Sequence, residues 1–181
     1  MELPISKIEL ACAKKDARKY LEVPYIDASD PENPVMVAST GTILAVAPVT
    51  LDDDDVGGYL PHDAIKAARK TIMAPVVKAN GTVSVPVTGA SYPRPFPDEP
   101  QAPRYPDYRR VMPDAGSHTV TLGIDAELLM TLAKAISANG KFKPYMVALK
   151  FAPNADGIVD GPISVSAKGS DAVGVIMPCR P

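Results

Sequence analysis

The 181 residues carry a formal net charge of −2, with 46% apolar and 22% charged side chains, a balance that supports a buried core and argues against a disordered chain. No apolar run approaches the roughly 18–20 residues that cross a bilayer, and the start MELPISKIEL lacks the basic-then-apolar pattern of a secretory signal, so a cytosolic protein is expected. Cys12 and Cys179 stand far apart and form no C-x-x-C pair, which points to two reduced thiols rather than a zinc site or a disulfide framework.

In chain order, a short apolar strand near Ile5 to Ile8 is expected to run into a helix over Leu10 to Leu21. Leu10, Ala13, Ala17, Tyr20 and Leu21 recur there at helical spacing. Strands are expected at Tyr25 to Ala28, Val35 to Ser39 and Ile43 to Val49. Ser39-Thr40-Gly41-Thr42 forms the turn between the last two and lacks the G-x-x-x-x-G-K-[ST] pattern of a phosphate loop. The acids Asp52 to Asp55 read as a solvated loop, because consecutive side chains do not converge as the spaced ligands of a calcium loop do.

A second segment opens at Gly58-Tyr59-Leu60, continues as a helix from His62 to about Ile72, and returns through strands at Val76 to Ala79 and Thr82 to Val87. Pro86 to Pro113 holds eight prolines and reads as an extended connector. Its P-x-x-P spacings also match a ligand of polyproline-binding domains. A third segment places a strand at Thr119 to Leu122, a helix over Asp125 to Ala138, and strands at Met146 to Phe151, Ile163 to Ala167 and Val173 to Met177. Leu60 to Ala64 and Leu122 to Ala126 both read L-x-x-D-A, with the acid in the first helical turn, where it complements the dipole and can satisfy free N–H groups.

The three segments share one grammar, which predicts an α+β chain of repeated β-α-β-β-β motifs with helices on one face of antiparallel sheets. With the Pro-rich stretch as an interdomain connector, two domains are expected, 1–113 including the connector and 114–181. Positive charge gathers on the expected helices: Lys14, Lys15, Arg18 and Lys19 on the first, Lys66, Arg69 and Lys70 on the second, and Lys134 on the third. Lysine also keeps any helix surface hydrated. The same sign recurring in successive repeats, while the rest of the chain is net acidic, points toward phosphate contact.

No catalytic constellation stands out. His62 and His118 are the only histidines, and neither has a Ser, Cys, Asp or Glu at a spacing that suggests a triad or a metal site. A non-catalytic protein without cofactor or metal is expected.

The stretch Tyr105-Pro106-Asp107-Tyr108-Arg109-Arg110-Val111-Met112-Pro113 resembles the F-P-D-Y-R-R-V-L/M-P segment of the bacterial sliding clamp, the β subunit of DNA polymerase III. Asp16 to Leu21, Val37 to Val46 and Val175 to Pro181 agree with that family in the same order. The resemblance implies the DNA-clamp fold, with helices toward the duplex and sheets outside. Residues 1–113 would be the equivalent of the clamp's middle domain and 114–181 the second half of its last, while the first domain and the first motif of the last have no counterpart. Three motifs per chain would need four chains to supply the twelve of a family ring, so a homo-oligomer is an expectation that rests on the resemblance.

The same likeness implies a processivity or scaffold protein. Its partners would be DNA polymerase and other proteins with clamp-binding motifs, and double-stranded DNA held non-specifically if a ring forms. The family's peptide groove maps onto Leu21, Gly41, Leu44, Pro106, Arg110, Val111, Val175, Met177, Pro178 and Arg180, a set that combines adaptable apolar side chains with a glycine and a rim arginine. Thr42-Ile43 replaces a pair that is commonly His-Arg in the family. The alternative is an adaptor or decoy that keeps the groove and never encircles DNA.

Overall fold

A strand whose side chains alternate between two apolar clusters must be covered on both faces, and this is the situation of the first sheet of the chain. In the computed structural model the described residues are 1–70, 75–96, 103–113, 120–137 and 146–179. They divide into two compact units, Met1–Arg110 and Val111–Pro181. Both are α+β with antiparallel sheets.

In the first unit, β1 (Tyr25–Asp27), β2 (Val35–Ser39), β3 (Leu44–Pro48) and β4 (Gly58–Tyr59) pair antiparallel in the order β3-β2-β1-β4. Ile26, Met36, Ala38 and Ala47 face one cluster, while Tyr25, Val37, Val46 and Tyr59 face the other. The first cluster is closed by the helix α1 (His62–Ala68), through Ala64, Ile65, Ala67 and Ala68, and by a second sheet. That sheet is β5 (Lys78–Ala79), β6 (Thr82–Val85) and β7 (Ala90–Pro93), in the order β5-β6-β7. Burial of Val77, Val83 and Val85, all at 0% exposure, contributes on the order of 1.5–3 kcal/mol per side chain.

The first segment departs from expectation. Ile5 to Ile8 is not a strand and Leu10 to Leu21 is not an α-helix. Two short 3-10 turns, Ile8–Ala11 and Lys19–Glu22, are joined by an irregular loop. A straight helix offers one apolar stripe, whereas here Ile8, Ala11 and Cys12 enter one cluster and Ala13, Tyr20 and Leu21 the other. Acidic side chains also capture the amides a helix would need. Asp16 Oδ1 accepts from the Arg18 N–H at 2.8 Å, Glu22 Oε1 accepts from the Asp16 N–H at 2.8 Å, and the Ala13 N–H closes the loop on the Leu21 carbonyl at 2.9 Å.

The expected connector is also more structured than its prolines suggested. It contains β7, an edge strand that ends at Pro93 where a missing N–H is harmless, and a 3-10 turn at Tyr108–Val111. Asp55 is a further correction, since it is no solvated acid. Its side chain is 2% exposed, accepts from the Ala79 and Asp52 N–H groups, and pairs with the α-amino group of Met1. Burial works against its ionisation, but the α-amino group and the two backbone donors outweigh it and hold its pKa below the usual carboxylate range.

In the second unit, the helix α2 (Ala126–Ile136) packs on a sheet of β8 (Val147–Lys150), β9 (Ile163–Ala167) and β10 (Val173–Ile176), in the order β10-β9-β8. Asp125 is the N-cap, and its Oδ1 accepts from the Glu127 and Leu128 N–H groups at 2.8 and 3.0 Å. Ile136 is buried in one cluster with Ile163, Val165 and Ile176, against which Leu129 and Leu132 pack. Gly174 of β10 lies under the helix, where a Cβ would stand 2.5 Å from Leu132 Cδ1, so a side chain there would force Leu132 to shift. The expected strand at Thr119 to Leu122 reduces, within the described residues, to isolated bridges at Thr121 and Gly123. The helix expected to reach Ile72 ends at Ala68, with Arg69 and Lys70 in a turn, and Thr119, Ala138 and residues 71–72 lie outside the described residues.

Arg69, expected on a phosphate-facing surface, turns inward instead. Its Nε lies 2.6 Å from Glu9 Oε1 and its Nη2 2.9 Å from Oε2, and the guanidinium also donates to the carbonyls of Pro4, Ile5 and Ser6. It staples the irregular first segment to α1. Arg69→Ala should lower the stability of the first unit by about 2–4 kcal/mol, because it leaves Glu9 and three carbonyls without their donor. Urea unfolding followed by tyrosine fluorescence checks this, since six of the seven tyrosines lie in that unit. An unchanged midpoint would show that the contact is idle.

Candidate peptide-binding site

On the outer face of the four-stranded sheet, Leu21, Val37, Tyr59 and Tyr105 form a buried cluster, with Leu44, Val46, Phe96 and Tyr108 packed against it. The antiparallel register pairs Ser39 with Leu44, so the β2–β3 turn brings Gly41 to the end of this face. Gly41 has φ +87°, and a Cβ there would lie 2.8 Å from Arg18 Nη2. The backbone angle calls for glycine, while the Arg18 guanidinium, at the end of a flexible exposed side chain, could shift aside. Ser39 Oγ donates to the Ile43 carbonyl at 2.7 Å, and Thr40 Oγ1 accepts from the Thr42 and Ile43 N–H groups, which holds the turn as the sequence suggested.

Aromatic packing fastens the connector onto this face. The Tyr105 and Tyr25 rings stack with centroids 5.0 Å apart, and Tyr25 meets Tyr59 edge-on at 5.1 Å. Tyr59 Oη donates to the Pro103 carbonyl at 2.5 Å. A buried carboxylate completes the attachment, since Asp27 accepts from Tyr108 Oη at 2.8 Å and lies 2.8 Å from Arg109 Nη2. Burial by itself would raise the Asp27 pKa, but hydrogen bonds from Ser29 and Tyr108 and the nearby Arg109 charge outweigh it and leave the value lowered. Burial and that same hydrogen bond push the Tyr108 hydroxyl up to about 12.

Of the expected peptide-binding residues in the first unit, Leu21 and Leu44 thus share one cluster with the tyrosines that flank Pro106. Leu21, at 1% exposure, is floor rather than contact surface, whereas Gly41, Pro106 and Arg110 are exposed and Leu44 is half-buried. In the second unit, Val173, Val175 and Met177 point outward from the edge strand β10 and its end at 66%, 62% and 60% exposure, while Ile176 points in. Pro178 is half-buried, Val111 is exposed, and Arg180 lies outside the described residues. The aromatic anchors Tyr25, Tyr59 and Phe96 had not been singled out. Tyrosine recurring among prolines was the available signal for them.

The expected phosphate-facing set disperses. Lys14, Lys15, Arg18 and Lys19 lie on the irregular segment rather than on a helix. Arg18 is paired with Asp16 and Lys19 with Glu22, each at 3.0 Å. Lys66, Lys70 and Lys134 are exposed. His62 Nε2 donates to the Glu22 carbonyl at 2.6 Å and ties the second 3-10 turn to α1. Cys12 is buried, with its thiol pushed up to about 12 by that burial and by Glu9, and neither cysteine is bonded. Among the described residues no cluster of His, Cys, Asp and Glu could hold a metal ion, and no helix is long and apolar enough to cross a membrane.

Comparison of the chain with protein-family models, with curated proteins and with solved structures finds no match.

Because the folded-state pKa of Asp27 is lowered, its contribution is fully present above the ordinary carboxylate range and fades as pH falls through the lowered value. Tyr108 and Arg109 should therefore stay docked through the ordinary carboxylate range and come loose only at more acidic pH, where the folded-state carboxyl takes up its proton. Asp27→Asn should cost about 1–3 kcal/mol at neutral pH and flatten that acid response. Acid titrations of both proteins by tyrosine NMR check this, and identical profiles would rule Asp27 out as the latch.

Proposed function

We propose that this chain is a non-catalytic scaffold of DNA replication, similar to the sliding clamps, that captures short peptides of polymerase and repair proteins through apolar anchors. The reading rests on one convergence. Leu21, Leu44 and the Tyr105 to Tyr108 segment are distant in sequence, each belongs to a stretch that resembles the clamp family, and they meet in one cluster. Exposed Pro106, Gly41 and Arg110 offer a surface on which an apolar side chain and a peptide backbone can settle. The outward Val175 and Met177 supply a second apolar surface, on the second unit.

A specific observation favours the second reading, an adaptor or decoy that binds such peptides without encircling DNA. Arg69 is committed to an internal ion pair, and Arg18 and Lys19 are paired with acids, so the positive charge left for phosphate is smaller than the sequence count implied. Retention on circular DNA, lost on linearisation, marks a ring, and its absence together with intact peptide binding marks the adaptor.

A fluorescent peptide carrying a clamp-binding motif should bind with micromolar affinity in an anisotropy titration. Leu44→Asp and Met177→Asp should each weaken it by roughly tenfold or more, since a carboxylate replaces apolar contact. Undiminished binding in both variants would place the peptide elsewhere, and no binding to the unaltered chain would remove the proposal.

A further inference from the structure

Asn80 and Gly81 stand in the turn between β5 and β6, and this order of residues sets an electrophilic side-chain amide next to the least hindered backbone N–H a chain can offer. The strand leading into the turn is held firmly. The Ala79 N–H donates to Asp55 Oδ1 at 2.7 Å, and the Ala79 carbonyl accepts from the Val56 N–H at 2.8 Å and from Arg94 Nη2 at 2.9 Å.

Three features of the turn bear on its chemistry. Asn80 Oδ1 accepts from the Thr82 N–H at 3.4 Å, an Asx-turn contact that brings the side-chain carboxamide back toward the intervening Gly81 nitrogen. The Gly81 N–H itself makes no hydrogen bond among the described residues, so no acceptor has to be given up before that nitrogen reacts. Both residues are exposed, and they line a cleft of about 960 Å³ that also touches Arg94, Phe96 and Arg104, so water reaches the turn.

The other described asparagines lack this combination. Asn33 precedes Pro34, which has no N–H, and its amide donates to Asp30 Oδ2 at 3.1 Å. Asn154 precedes Ala155, whose Cβ narrows the backbone angles that ring closure needs. Its carboxamide is also engaged at both ends, since Oδ1 accepts from the Asp156 and Ile158 N–H groups and the amide donates to Asp160 Oδ2, each at 3.0 Å.

We propose that Asn80 is a site of spontaneous deamidation. The Gly81 nitrogen gives up its proton and bonds to Asn80 Cγ, while the Thr82 N–H steadies the side-chain oxygen as it gains charge. The Cγ–Nδ2 bond then breaks, the nitrogen takes up a proton and leaves as ammonia, and a succinimide ring remains. Water opens that ring at either carbonyl to give aspartate or isoaspartate, with no oxidant or reductant. Both products put a carboxylate where a neutral amide stood, and isoaspartate also lengthens the backbone by one methylene beside the anchored Ala79.

Ageing of the full chain in mildly alkaline buffer, followed by trypsin digestion and mass spectrometry, tests this, because Asn33, Asn80 and Asn154 fall in different tryptic peptides. The peptide of residues 79–104 should gain about one dalton and become a substrate for an isoaspartyl methyltransferase, sooner at higher pH, while the peptides holding Asn33 and Asn154 keep their mass. Gly81→Ala meets open space and needs no left-handed backbone, so it should fold and should slow the gain by roughly tenfold or more. The native chain should react at least as fast as the chain in urea, because the turn holds the reacting atoms together. No gain in residues 79–104, an equal rate in Gly81→Ala, or a native rate well below the rate in urea would each overturn the assignment.

Discussion

The buried carboxylate of Asp27 is the point on which the outer face of the first unit depends. It sits at the end of β1, receives a neutral donor from Tyr108 and a charged one from Arg109, and so fixes the connector to the sheet at a defined register. Charge-assisted hydrogen bonds of this kind contribute about 1.5–3 kcal/mol each when buried. The stack of Tyr105 on Tyr25 and the hydroxyl bond from Tyr59 to Pro103 follow from that placement. Without the latch, one face of the four-stranded sheet would present tyrosine and valine side chains to water. A connector rich in proline serves this role well, since a chain with few free amides can cross an apolar face without leaving donors unpaired.

Much of this was legible in the residues. β9 sits where alternating apolar and small polar residues placed it, β2 where a short apolar run did, and Asp125 caps α2 as the L-x-x-D-A pattern implied, because short-range signals decided those features. The first segment was misread for a long-range reason. Helical spacing from Leu10 to Leu21 was real as a pattern, but its apolar side chains belong to two clusters on opposite faces of one sheet. A one-dimensional period carries no information about which core each residue will enter. The β7 strand was hidden by the prolines around it, which are tolerated because it lies at a sheet edge.

The candidate sites divide along the same line. Leu21 and Leu44 carried a local signal in the stretches that resemble the clamp family, and a shared cluster in the fold gives that signal a physical meaning. The cleft lined by Arg94, Arg104 and Phe96 had no such signal. Its walls, Tyr25–Ser29, Val56–Tyr59, Asn80–Gly81, Arg94–Phe96 and Pro103–Arg109, come from five separate places in the chain, and no short pattern of residues marks them as neighbours.

Charge makes the difference between counting and geometry plainest. A window over residues 14–19 counts four basic side chains, yet two of them are paired with acids of the same segment, and Arg69 is internal. Lys14, Lys15, Lys66, Lys70 and Lys134 remain exposed and without an ion pair among the described residues. If each of these five neutralised one phosphate, together they would add about −4.5 to the log–log salt slope of duplex binding. Positive charge counted along the sequence is therefore an upper limit, which the internal pairing of Arg18, Lys19 and Arg69 lowers.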